Sequence, residues 1–173
     1  MENQADSKNI ILNYGLYYGI LSILVSLVTY ALGKHLEQGM TSMFVGLAIM
    51  IAFIILGIKK FKDDNNSFIS WGQSVKIGVG IVVVGVLIAI VYQQIFINFI
   101  EPDFMNQMAE KTRQTLFDAG LTTEQIDAQM KMQEKFQGPL ISSAMGIVVG
   151  ALVGFIFSAI IGAIMKKTEE QDY

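Results

Sequence analysis

The stretch that decides the fold runs from Gly138 to Gly162 and reads GPLISSAMGIVVGALVGFIFSAIIG. It carries no charge, and a small side chain recurs at every fourth position. These seven residues, called here the small-residue file, are Gly138, Ser142, Gly146, Gly150, Gly154, Ser158 and Gly162. A four-residue step exceeds one helical turn by about 40°, so the file winds slowly around a helix. In a bilayer the backbone must satisfy its own hydrogen bonds, and small residues at this spacing let a second helix approach closely. The stretch therefore predicts a membrane-spanning helix with one very close helix contact.

The charged residues are confined to a few intervals of the chain. The 173 residues are 53% hydrophobic and 16% charged, and the mean hydropathy is +0.50. Four charge-free intervals reach the length of about 20 residues that crosses a hydrocarbon core. They predict spans at about 10–32, 40–58, 77–100 and 139–165. We expect an all-α integral membrane protein, a single membrane domain over residues 1–173, with four transmembrane helices in two antiparallel hairpins.

Residues 101–138 predict an extracytoplasmic helical hairpin between the third and fourth spans. Pro102 lies in the first turn of a helix that Gly120 ends. Thr122 and Gln125 have the spacing of a capping box, which favours a second helix after this stop. The segment therefore predicts two helices outside the membrane spans.

Lysines determine the predicted orientation. The loop between the second and third spans contains four lysines, and Lys8 and the pair Lys166 and Lys167 fall on the same side. Short cytoplasmic loops are rich in Lys and Arg, so this side and both termini are expected to be cytoplasmic. The basic residues of 101–138 lie opposite, but they are interleaved with seven acidic residues. The acidic and basic residues before the first apolar run indicate a retained span rather than a cleaved signal peptide.

Small residues on the first span form a second stripe that can pack against another helix. They are Gly15, Gly19, Ser22 and Ser26, and they are the best complement to the small-residue file inside the molecule. If the two faces pack together, the file serves the internal fold, and otherwise it is free for another subunit. Membrane-interface anchors are expected at aromatic and basic residues near the span ends. They are Tyr14, Tyr18, Lys59, Lys60, Trp71, Lys76, Lys166 and Lys167.

Patterns for catalysis, metal binding or cofactor binding are absent from the sequence. The spans contain no acidic residue, and His35 has no second histidine to pair with. We expect His35 to be a solvated turn residue, although histidine is able to sense pH, and Glu101 to be a charge at a helix start. The chain has no cysteine and no basic face, which excludes thiol chemistry and argues against nucleic acid as a partner. No cofactor is expected, and the chain does not read as an enzyme.

Several segments resemble the bacterial domain-of-unknown-function 4199 family, and the resemblance covers nearly the whole chain. The segments are Tyr14–Gly15, Gly57–Phe61, Phe68–Gly78, Phe99–Phe104 and Met165–Lys167. The resemblance implies four spans and a bacterial cytoplasmic (inner) membrane location, with no assigned activity, cofactor or catalytic residue. Trp71 stands where a smaller aromatic residue such as phenylalanine is expected.

The sequence supports two hypotheses about function. The first is a non-enzymatic inner-membrane protein that acts through helix association, as a homo-oligomer or as a subunit bound to another membrane protein. The second is a small channel or transporter for a neutral solute or ion, with the glycine-lined fourth span beside its path. Such a path could use Gln93, Gln94, Asn98 and the serines. An enzyme acting on lipid would need a buried cavity with convergent polar groups, which the sequence does not reveal.

Overall fold

The computed structural model describes residues 6–37, 39–136 and 138–167. Within these residues the protein consists of six α-helices and one π-helical turn, and it contains no strand. The elements are α1 (Ser7–Ala31), α2 (Met40–Asp64), α3 (Trp71–Ile95), the π-helix Phe96–Ile100, α4 (Phe104–Asp118), α5 (Thr123–Glu134) and α6 (Pro139–Met165). Four helices are long and apolar enough to cross a membrane: α1, α2, α3 with the π-helix, and α6, with 25, 25, 30 and 27 residues.

Side-chain caps fix where three of the helices begin. The Asp6 carboxylate accepts hydrogen bonds from two backbone N–H groups in the first turn of α1, at 2.9 and 3.3 Å. Ser70 with Gln73 and Thr122 with Gln125 form capping boxes at the starts of α3 and α5. These side chains satisfy N–H groups that have no partner inside the helix. The capping box predicted at Thr122 is confirmed.

The helices extend beyond the charge-free intervals. Helix α2 continues through the lysine cluster to Asp64, and α3 begins at Trp71 rather than near Ile77. Hydropathy marks where charge begins, but a lysine can keep its ammonium group in the headgroup region while its backbone stays helical. The capping box at Ser70 therefore sets the start of α3, and the end of α2 at Asp64 does not coincide with the first charged residue.

Helix α3 is the central helix of the bundle. It packs along most of its length against α1 and α6, and less extensively against α2. Ile54 and Ile58 of α2 and Ile77 and Ile81 of α3 are completely buried and form the middle of the core. The small-residue file is therefore not the centre of the fold, because α6 is one of three helices gathered around α3.

One end of the bundle is closed by hydrogen bonds, and we call it the lysine end. Here α2 ends, α3 begins and α6 ends. The backbones of Ile69 and Lys167 exchange two hydrogen bonds, at 2.9 and 3.0 Å. The Lys62 ammonium donates to the Met165 carbonyl at 3.0 Å, which satisfies one of the free carbonyls at the end of α6. The loop between α2 and α3 is thereby attached to the end of the last helix.

The opposite end, called here the histidine end, gathers the end of α1, the π-helix and the start of α4. The turn after α4 has Gly120 in the left-handed region, at φ +86°, where glycine carries no steric penalty. Helices α4 and α5 pack against each other, and Arg113 pairs with Asp127 at 2.9 Å. Two helices thus occupy the segment 101–138, as the sequence predicts.

Candidate functional site

His35 and Glu101 form a hydrogen-bonded pair at the histidine end. His35 follows α1, and Glu101 follows the π-helix, 66 positions later. The imidazole Nε2 lies 2.9 Å from Glu101 Oε2 and 3.2 Å from Oε1, and each side chain is only 15% exposed. The side-chain amide of Gln107 donates to Oε1 at 3.1 Å. The expectation that His35 is a solvated turn residue is therefore wrong, because the fold places a carboxylate and a hydrophobic wall beside it.

Three aromatic rings enclose His35. Tyr30 contacts it edge to face with ring centres 4.9 Å apart, and Phe104 stacks on it at 6.1 Å. The third ring, Phe96, is buried and lies 6.4 Å from the imidazole. Apolar walls around a charged pair exclude water and strengthen the attraction between its members.

The π-helix explains how Glu101 reaches this position. The Glu101 N–H donates to the Phe96 carbonyl at 2.8 Å, which is the five-residue spacing of a π-helix. Because this turn is wider than an α-helical turn, Phe96 and Glu101 lie on the same side of the helix. Both side chains therefore reach His35. Short π-helical turns are frequent at functional sites, and this one builds half of the enclosure.

A cavity of about 260 Å³, which we call the His35 pocket, lies between α1, α3 and the start of α4. Its polar side chains include Ser22, Ser26 and Thr29 from α1 and Gln93 from α3. The hydroxyls of Ser22 and Thr29 donate to backbone carbonyls of their own helix, both at 2.8 Å, so their lone pairs remain free to accept. No Lys or Arg lines the pocket.

Among the described residues, three buried side-chain polar atoms have no hydrogen-bond partner. One is Glu101 Oε2, which lies 2.9 Å from His35 Nε2, and the other two are His35 Nδ1 and the hydroxyl oxygen of Tyr92. Both residues line the pocket. With Glu101 ionised, Nε2–H must donate to the carboxylate, because a carboxylate only accepts. Nδ1 then accepts in the neutral ring and donates in the protonated ring. Buried polar atoms nearly always have partners, so these two are positions where a water molecule or a ligand group would form hydrogen bonds.

The described residues contain no group of three or more His, Asp and Glu side chains arranged to hold a metal ion. His35 and Glu101 are one nitrogen and one carboxylate ligand, and they are engaged with each other. The chemistry available at the pocket is therefore hydrogen bonding by the imidazole, hydroxyl and amide groups.

The stripe predicted on α1 is divided between two roles. A Cβ atom added at Gly15 would lie 2.6 Å from Val84 Cβ, and one added at Gly19 would lie 2.9 Å from Ile88 Cβ. At these two glycines, α1 therefore lies directly against Val84 and Ile88 of α3. Ser22 and Ser26 instead line the His35 pocket. The stripe does not face α6, because α1 and α6 each pack on α3.

The small-residue file is divided in the same way. Added Cβ atoms at Gly150 and Gly154 would lie 2.9 and 3.1 Å from Val86 and Val82 of α3, and one at Gly162 would lie 2.7 Å from Ser74. The Ser158 side chain is completely buried, and its hydroxyl donates to the backbone of its own helix. In the first half of α6, an added Cβ at Gly138 or Gly146 would meet nothing within 4 Å, and Ser142 is exposed.

This division follows from the winding of the file. Each step turns the file by about 40°, so over seven residues it rotates through more than half a circle. A single neighbouring helix can follow only part of that path. The half from Gly150 to Gly162 faces α3. In the other half, an added Cβ at Gly138 or Gly146 meets no described residue, and Ser142 is exposed at the edge of a cavity that residues of α3, α4 and α5 also line.

The predicted interface anchors occupy different environments. Tyr18 lies inside the bundle, where its ring meets Gly85 and stacks obliquely on Phe53 at 6.0 Å. The Trp71 ring is 45% exposed, and its N–H donates to the Ala159 carbonyl at 3.0 Å. Tyr14 is partly buried. The remaining anchors are exposed and lie at the lysine end: Lys59, Lys60, Lys76, Lys166 and Lys167.

The fold and its four apolar helices define a multi-pass membrane protein with a polar pocket near one end. The chain belongs to the family described as "Protein of unknown function (DUF4199)", whose model matches residues 13–167. The match includes His35, Tyr92 and Glu101, and it ends at the residue that pairs with Ile69. The resemblance noted in the sequence is thereby confirmed. Searches of curated proteins and of solved structures returned no match.

Proposed function

We propose that this protein is a non-enzymatic component of the bacterial cytoplasmic membrane that acts through helix association, first of all as a homo-oligomer. The contact between subunits is formed by the open half of the small-residue file: Gly138, Ser142 and Gly146. The same surface would serve a different membrane protein if the chain is a subunit of a larger assembly.

One observation carries this proposal: the small-residue file continues beyond the part that α3 occupies. Glycine is a poor residue for a helix surface that faces only lipid, because it gives up side-chain contacts and lowers helix propensity. Small residues on membrane helices are favoured where another backbone approaches. A Cβ atom added at Gly138 or Gly146 would meet no described residue within 4 Å, so space for such an approach exists.

The acid–base pair supports a role without catalysis. His35 Nδ1 has no hydrogen-bond partner, so no hydroxyl of the described chain is held where the imidazole would activate it. Nucleophilic catalysis requires a nucleophile within hydrogen-bond reach of its base.

A single-cysteine variant tests the oligomer directly, because the natural chain contains no cysteine. Ser142→Cys should form a disulfide-linked dimer in oxidised membranes, seen on a non-reducing gel. Adding Gly146→Leu should reduce this dimer at least severalfold, because the larger side chain separates the helices. Ser42→Cys, on an exposed part of α2, reports chance collisions. Equal crosslinking at positions 142 and 42 would refute the proposed contact.

Orientation is part of the same proposal. Four lysines at the lysine end support a cytoplasmic location for this end: three in the last turns of α2 and Lys76 near the start of α3. This orientation would give two antiparallel helix pairs with α4 and α5 outside. Both chain termini would then be cytoplasmic, although their outermost residues, 1–5 and 168–173, lie outside the described structure.

A cysteine-labelling experiment tests the orientation. An Ala119→Cys variant in the turn between α4 and α5 should react with a membrane-impermeant maleimide in intact spheroplasts. A Ser67→Cys variant in the loop after α2 should react only after lysis. The reverse labelling pattern would overturn the orientation.

The second candidate function, a channel or transporter, is favoured by the polar His35 pocket. The polar lining does not continue to the lysine end, because Ile54, Ile58 and Ile81 fill that half of the bundle and are completely buried. A pocket that ends at a packed core supports binding more than it supports conduction. Solute flux in proteoliposomes is the measurement that would decide for this alternative.

A further inference from the structure

We propose that the His35 pocket and an adjoining groove on α3 bind an uncharged amphiphile from the bilayer. Its hydroxyl or carbonyl head group lies in the pocket, and its hydrocarbon chain lies in the groove. This inference rests on the geometry of α1 and α3 and does not depend on oligomer formation through α6.

The head-group site is defined by the two unpartnered atoms. The Tyr92 hydroxyl can donate to a carbonyl or accept from a hydroxyl, and Nδ1 of His35 can accept from a hydroxyl. Since Nε2 forms a hydrogen bond with Glu101 Oε1 at 3.2 Å, the imidazole ring is held in one orientation and Nδ1 lies on the opposite side of the ring from Glu101. A volume of about 260 Å³ accommodates a small head group but not a large one.

The charges around the pocket select against an anionic head group. The lining contains neither Lys nor Arg, and the Glu101 carboxylate lies directly behind His35. A phosphate or carboxylate head group would have to lose water without gaining a cation in return, apart from His35 when it is protonated. An uncharged head group meets no such cost.

The chain site is a groove on the surface of α3 that continues from the pocket. It has a volume of about 400 Å³ and is lined by apolar side chains together with the ring of Tyr92. Ile23 and Tyr92 line both cavities, so the groove and the pocket meet at these two residues. Leu87, Val91 and Ile95 along the groove are exposed on the apolar surface of the bundle, which opens it to the hydrocarbon of the bilayer.

Removal of the Tyr92 hydroxyl is the most specific test of the head-group site. This hydroxyl has no hydrogen-bond partner among the described residues, so Tyr92→Phe should leave the thermal stability of the protein unchanged or slightly higher. The same change should weaken binding of the amphiphile about fivefold, the usual effect of one lost hydrogen bond. Tyr17→Phe is the matched control, because it removes a hydroxyl from an exposed tyrosine that does not line the pocket.

The binding probe is hexadecan-1-ol with a diazirine in mid-chain, added to the full-length protein in mild detergent. After irradiation, mass spectrometry should place the label on the peptide that contains Leu87, Val91 and Ile95. Unlabelled hexadecan-1-ol or a decyl-substituted benzoquinone should compete, and the better competitor distinguishes a hydroxyl head group from a carbonyl. Palmitate at the same concentration should compete at least tenfold less well. Val91→Trp, which fills the groove from its exposed side, should abolish labelling.

Four results would each overturn the proposal. They are label outside the groove, equal half-saturation for Tyr92→Phe and Tyr17→Phe, competition by palmitate equal to that by the alcohol, and competition by hexan-1-ol equal to that by hexadecan-1-ol. The last result would mean that the hydrocarbon chain takes no part in binding.

Discussion

Replacing Gly78 by alanine should destabilise the bundle by about 1–3 kcal/mol, the usual cost of forcing an extra group into a packed core. The added Cβ would lie 2.7 Å from Ser158 Cβ and 3.0 Å from Ile54 Cγ2, and it would also strike the Ser158 hydroxyl. Ser158 belongs to α6 and Ile54 to α2, so one methyl group pushes two helices away from α3. The unfolding midpoint on heating in detergent measures the effect.

Gly46→Ala is the matched control for this prediction. Gly46 lies in the interior of α2, where an added Cβ meets nothing within 4 Å. The stability of this variant should stay the same or rise slightly, since alanine is the better helix residue by up to about 1 kcal/mol. Equal stability of Gly78→Ala and Gly46→Ala would mean that Gly78 has room for a methyl group and is not in close contact with Ser158 of α6.

Replacing His35 by alanine should cost about 1–3 kcal/mol, because it leaves the Glu101 carboxylate largely buried without the imidazole as hydrogen-bond partner. Removing both partners should cost less than the sum of the two single changes. The His35→Ala and Glu101→Ala double-mutant cycle should therefore give a coupling energy of about 1 kcal/mol or more. Hydrogen exchange should show faster exchange in the residues that end α1, since His35 is their attachment to α3 and α4.

The Arg113 and Asp127 pair provides the comparison for this cycle. Its distance is also 2.9 Å, but its side chains are 44% and 48% exposed. Exposed pairs gain little because water screens them and side-chain entropy opposes them, so its coupling should be below about 1 kcal/mol. Coupling at His35 no greater than coupling at Arg113 would show that the enclosure by aromatic rings adds nothing.

The membrane helices could be predicted from the distribution of charge alone, because a hydrocarbon core excludes charge and demands helices. The capping box at Thr122 is local chemistry and could also be predicted. The partner of the small-residue file could not. Periodicity identifies a face of one helix, but it carries no information about which other helix covers that face.

The role of α3 was hidden by its composition. Gly78 and Gly85 stand among Val and Ile residues, so they do not form a file at a four-residue step. In the structure they receive side chains from α6 and α1, respectively. Their seven-residue separation, two turns of a helix, was the signal that would have marked α3 as a second packing surface.

His35 could not be assigned from its neighbours. Lys34 and Glu37 beside it are typical of a solvated turn, whereas its actual partner lies 66 positions away. The π-helix that brings Glu101 into place adds a residue to a helical turn, and no residue type specifies such an insertion. Long-range hydrogen-bonded pairs of this kind arise from the fold as a whole.

The pairing of Ile69 with Lys167 has a consequence for the evolution of this chain. Both hydrogen bonds use main-chain atoms, which every residue except proline supplies in the same form. Substitutions at either position can accumulate without breaking these two hydrogen bonds, provided that proline is avoided. Homologous chains can thus differ at both positions and still keep the same hydrogen-bonded contact between the beginning of α3 and the end of α6.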